Sequence, residues 1–141
     1  MATNKKLKTV IILVVMSTLC INGCQTSVFG SNNQETENAY MKISAEEAKE
    51  IMNNTDDFVL VDVREADEYA DGHIEGAILI PYGEIGEEAE NKLPDKEQTI
   101  LVYCRSGQRS AIAAQTLTEL GYTDVRDFGG IIDWPYDKIV D

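Results

Sequence analysis

Two short apolar runs, Phe58-Val59-Leu60-Val61-Asp62-Val63 and Thr99-Ile100-Leu101-Val102-Tyr103, constrain the fold of this chain more than any other feature. Neither alternates apolar and polar positions, as a strand with one wet face would, so each reads as a strand buried on both faces. Helical patterns surround them. Ser44-Ala45-Glu46-Glu47 fits a capping box, and Ala45, Ala48, Ile51 and Met52 follow at helical spacing. Residues 65–70 allow a short helix, Gly72 a turn, and Ala77-Ile78-Leu79-Ile80 a second short strand stopped by Pro81. An acidic amphipathic segment covers 85–93. Residues 110–120 predict a helix with Ala113, Leu117 and Leu120 on one face and Gly121 as its stop. Val125-Arg126-Asp127-Phe128 reads as a last strand, before Gly129-Gly130 and a short closing helix through Trp134. Strands alternating with helices place the chain in the α/β class, with a parallel sheet covered on both faces. Ligands of such sheets collect beyond the carboxyl ends of the strands. Two polar groups fall there: Asp62 with Arg64, and Cys104 with the loop after it.

The first 24 residues stand apart from this pattern. Lysines at 5, 6 and 8 precede an uncharged apolar stretch over 10–19 and then small and polar residues, the layout of a secretory signal. That stretch falls short of the about 20 apolar residues a spanning helix needs. Ile21-Asn22-Gly23-Cys24 resembles a bacterial lipobox, which implies cleavage before Cys24 and lipid on its thiol. The segment QTSVFGSNNQETENA that follows is polar and without apolar period, a flexible tether. The expected organisation is therefore a lipoprotein signal peptide over 1–23, a tether with lipidated Cys24 over 24–39 and one folded domain over 40–141. This domain is expected to be exported and held at the bacterial cell envelope by its lipid alone.

Processing changes both charge and thiol content. All 25 Asp and Glu lie beyond residue 24, against 9 of the 12 Lys and Arg, which leaves a mature charge of −16. Such a surface repels nucleic acid and anionic headgroups and excludes both as partners. Cys20 leaves with the signal and Cys24 takes lipid, so Cys104 is the one thiol of the exported domain, and no internal disulfide can form. One histidine and one available cysteine do not make a metal-ligand set, and no cofactor is expected.

Cys104 opens the stretch CRSGQRS between a strand and a helix. Closed into a cradle, the loop would turn successive backbone N–H groups toward the sulfur, reinforced by the helix N-terminus. Gly107 permits the tight path. A thiol so placed ionises more readily and becomes a nucleophile. Arg105 and Arg109 add forked donors suited to a sulfonate or phosphate. Cysteine phosphatases place their arginine six positions after the nucleophile, where this chain has Ser110; Arg109 comes one residue early. The shorter loop makes a smaller pocket, better matched to a single sulfur atom than to a tetrahedral phosphate.

Over residues 40–141 the sequence resembles the single-domain rhodaneses, or thiosulfate sulfurtransferases. The resemblance is carried by Val61-Asp62-Val63-Arg64-Glu65 with Glu68-Tyr69, by Gly72-His73-Ile74-Glu75-Gly76-Ala77 leading to Ile80-Pro81, by the Cys104 to Ser110 loop, and by Phe128-Gly129-Gly130 with Trp134. It implies a three-layer fold with a five-stranded parallel sheet flanked by helices. It also implies that Cys104 takes the outer sulfur of thiosulfate or a similar donor as a persulfide and passes it to cyanide or a thiol. The loop amides of Arg105, Ser106, Gly107, Gln108 and Arg109 would stabilise the persulfide, and the two arginine side chains would receive the donor's sulfonate. Asp62, Arg64 and Ser110 would support the loop, although Asp62 and Arg64 equally suit holding neighbouring strand ends together. His73 fits a turn position and Trp134 a core or rim aromatic. A second reading of the same fold stays open: a module that carries persulfide or docks a partner protein without turnover.

Overall fold

The computed structural model describes residues 40–140; the signal sequence, Cys24 and tether expected over 1–39 lie outside the described residues. The elements run β1 (Tyr40–Lys42), α1 (Ala45–Asn54), β2 (Phe58–Asp62), α2 (Ala66–Ala70), β3 (Ile78–Leu79), α3 (Ile85–Lys92), β4 (Thr99–Cys104), α4 (Gln108–Glu119), β5 (Val125–Gly130) and a 3-10 turn at Ile131–Asp133. Among the described residues the five strands form one sheet in the order β1-β5-β4-β2-β3, with every neighbouring pair parallel.

Alternation along β4 explains why its sequence is apolar throughout. Ile100, Val102 and Cys104 belong to one apolar layer, with Ala113, Ala114 and Leu117 of α4 and Ile85 and Ala89 of α3. Leu101 and Tyr103 belong to the other, with Ala48 of α1, Phe128 and Trp134. All these β4 side chains are at most 1% exposed. A fully buried aliphatic side chain contributes about 1.5–3 kcal/mol, so both faces of β4 fix its place, and a slip of one residue would exchange the layers. Ser44 caps α1 as expected: its hydroxyl accepts from the Glu47 amide at 3.1 Å, while the Glu47 carboxylate accepts from the Ser44 amide at 2.8 Å.

Several elements differ from the sequence reading. The short edge strand β1 was not anticipated; it is placed by pairing with β5, a partner far along the chain. β4 runs on to include Cys104, and β5 runs on to include Gly130, opposite Cys104 across a register shift. α4 begins at Gln108, two residues ahead of expectation, because Gly107 adopts φ +96 and caps the helix directly.

Candidate active site

Cys104 is the last residue of β4, the central strand of the sheet, and α4 starts four residues later. This brings the sulfur against the N-terminal end of the helix. The Gly107 amide donates to Cys104 Sγ at 3.0 Å. The side chain is 1% exposed, and burial alone would push the thiol pKa up. The amides of Ser110, Gly107 and Ser106, with the Ser110 hydroxyl, more than offset that and hold it below the ordinary thiol value. Ser110 Oγ also donates to Gly107 O at 3.1 Å or Gly129 O at 3.3 Å, so its single proton is shared and the three amides are the constant contribution.

The floor of the loop is made by the two glycines ending β5. A Cβ on Gly130 would collide with Arg105 O and stand 2.8 Å from Ser106 Cα, both backbone atoms that cannot swing aside. Sequence reading held this Gly-Gly pair only as part of a family pattern; its physical role is to let the loop lie directly on β5. Gly130→Ala is therefore expected to lift the loop and loosen its amides from the sulfur. The pH midpoint for alkylation of Cys104 by iodoacetamide should rise by about one unit, equivalent to about 1.4 kcal/mol less favour for the thiolate. A variant with an unchanged midpoint would show that the loop does not need this floor.

The structure separates the two loop arginines. Arg105 is exposed and, among the described residues, makes no ion pair. Arg109 sits in the first turn of α4 and forms a two-pronged pair with Glu68 of α2, at 2.6 Å and 2.8 Å. That pair holds the Glu68 carboxyl down to about 2 and raises the Arg109 guanidinium further. The Glu68 partnership was not foreseen, although Glu68 lies in one of the motifs quoted above. A cavity of about 300 Å³ borders the loop, lined by Arg64, Glu68, Asp71, Arg105, Ile131 and Ile132. A larger one, about 620 Å³, lies between α1 and the segment around Trp134; none of its lining residues belongs to the cysteine loop.

Asp62 and Arg64 form a buried pair beneath this wall. Arg64 grips the Asp62 carboxylate through Nε at 3.0 Å and Nη2 at 2.6 Å, and donates to Gly72 O at 2.8 Å. These contacts tie the end of β2 to the turn after α2. Arg64 still reaches the active-site cavity as a lining residue. His73 is 2% exposed, its ring stacks on Tyr69 at 3.7 Å, and its Nδ1 lies 3.0 Å from Tyr69 O. Trp134 is 5% exposed among Phe128 and Tyr136, as a core aromatic should be.

Fold and site together define a parallel α/β domain that holds a cysteine with a lowered pKa in a loop of backbone amides. Residues 44–135 match the Rhodanese-like domain family, and the chain belongs to that family. It is 40% identical over 79 residues to the thiosulfate sulfurtransferase PspE of Escherichia coli, covering 56% of this chain and 76% of that relative. It is 38% identical over 96 residues to the thiosulfate sulfurtransferase GlpE of Coxiella burnetii, covering 67% of this chain and 87% of the relative. Among solved structures, a rhodanese with anions from E. coli superimposes with a TM-score of 0.57 at 38% identity, covering 60% of this chain and 99% of that one.

Proposed function

We propose that this protein is a sulfurtransferase that moves a sulfane sulfur from thiosulfate or a similar donor to cyanide or a thiol acceptor through a persulfide on Cys104. The observation that carries the reading is the Cys104 sulfur, its pKa held low by backbone amides at the N-terminus of α4. The Cys104 thiolate attacks the outer sulfur of thiosulfate; a cysteine S–S bond forms, the donor's S–S bond breaks, and its electron pair leaves with sulfite. An acceptor nucleophile then attacks the outer persulfide sulfur and returns the thiolate, so that neither step needs an outside oxidant or reductant. The amides that favour the thiolate equally favour the persulfide anion. Arg105 receives the sulfonate at the mouth of the loop, with Arg109 beside it. Thiosulfate sulfurtransferases among the relatives, and the anions held by the E. coli rhodanese, support this assignment. We further propose that the domain acts outside the cytoplasm, anchored through lipid on Cys24, as the lipobox-like sequence suggests.

Incubation with thiosulfate is expected to add one sulfur to Cys104, detected by mass, and later addition of cyanide to release thiocyanate. Sulfur uptake with no transfer to cyanide or thiols would instead make the protein a persulfide carrier, and hydrolysis of an aryl phosphate would move it to the phosphatase class. The loading rate should rise with pH through a midpoint below the ordinary thiol value and level off above it, because the thiolate is the attacking form. Glu68, held to about 2, stays ionised throughout and adds no step of its own. A midpoint at or above that of a free cysteine would contradict activation by the loop.

A further inference from the structure

The Arg109–Glu68 pair offers more than a structural tie. Both members are about one quarter exposed, at 24% and 25%, and Glu68 lines the cavity that Arg105 also lines. Glu68 is anchored a second time, accepting from the Glu65 amide at 3.2 Å at the start of α2. Both terminal nitrogens of Arg109 therefore face a carboxylate whose position is fixed from two directions. With the sulfur ionised, the two loop guanidiniums face one thiolate and the Glu68 carboxylate, while Asp71 adds a negative charge to the cavity wall and Arg64 is already paired with Asp62.

We infer that Glu68 is a specificity-determining residue that sets how tightly the Cys104 loop holds oxyanions, by cancelling the charge of Arg109 and leaving Arg105 to receive the donor. This rests on the loop being the anion-binding centre proposed above. The chemistry gives the cancellation a purpose. Thiosulfate and the leaving sulfite are both anions, and a cradle with two uncancelled guanidiniums would retain sulfite after transfer. It would also admit sulfate or phosphate as bystanders. Glu68 lowers the hold on every oxyanion, so that the sulfane sulfur, which only a true donor can deliver to Cys104, decides between them.

Glu68→Gln tests this, since glutamine keeps an acceptor for the Glu65 amide while removing the charge. Two measurements are expected to move together at low ionic strength. The KM for thiosulfate should fall by roughly five-fold without a rise in kcat, and the inorganic sulfate concentration that protects Cys104 from iodoacetamide should fall by a similar factor. Both differences should shrink as salt is raised toward ~0.15 M and beyond. Glu68→Asp, which restores the charge on a shorter side chain, should return both values toward wild type. An unchanged or raised sulfate constant in Glu68→Gln would overturn the inference and make Glu68 a brace that holds Arg109 in its working pose. Sulfate protection requires no sulfur transfer. A protein that gains sulfate affinity in the variant yet loads no sulfur would refute the sulfurtransferase reading alone, whereas loss of protection in both forms would remove the anion-binding loop and the inference with it.

Discussion

Cys104→Ser is expected to abolish sulfur loading from thiosulfate, with thiocyanate production falling by at least ~10³-fold. The substitution exchanges one atom at a site 1% exposed, so the sheet and α4 keep their packing and the far-ultraviolet spectrum should not change. What disappears is the chemistry. The amides of Ser110, Gly107 and Ser106 hold the thiol below its ordinary value and so favour its anion; a hydroxyl starts many units higher and stays protonated in the same cradle. A serine protein that still gains a sulfur by mass would place the nucleophile elsewhere and sink the proposed function.

Arg64→Ala is expected to lower stability by about 3–5 kcal/mol, read as a fall in the urea midpoint at unchanged slope. Asp62 is 0% exposed, and Arg64 supplies its side-chain partner through Nε and Nη2. Removing the guanidinium leaves a buried carboxylate without its counter-charge at the end of β2, although the residue 64 amide still donates to it at 2.9 Å, and frees the Gly72 carbonyl as well. For a domain of this size the loss is a large share of a total of about 5–15 kcal/mol. Replacing both partners with apolar residues of similar volume, Asp62→Leu with Arg64→Met, should restore much of it, since the cost lies in the orphaned charge more than in the missing attraction. A single variant within about 1 kcal/mol of wild type would mean that water reaches Asp62 and compensates it.

The sequence was legible where side chains speak for themselves. Runs without a polar face announced β2 and β4, a capping box announced α1, and the position of Cys104 between a strand and a helix announced the cradle before any distance was known. β1 was not legible, because Tyr40–Lys42 is partly exposed edge backbone whose strand character comes from β5, 85 residues further along the chain. The start of α4 was misplaced for a related reason: a glycine with positive φ can end a loop or cap a helix, and only the packing on Gly129 and Gly130 decides which. The same holds for Arg109. Two arginines in one loop look alike in sequence, and it takes Glu68, 41 residues earlier in the chain, to tell them apart.

The strand order has a consequence for durability. β4 lies inside the sheet, flanked by β5 and β2, and structure of this kind opens only with the whole domain, whereas edges such as β1 and β3 fray first. Cys104 is thus tied to the part of the molecule that unfolds least often, and its side chain is almost entirely shielded from the surroundings, at 1% exposure. For the exported location proposed above, where stray thiols are captured as mixed disulfides, that seat keeps large oxidants from the sulfur for as long as the protein stays folded.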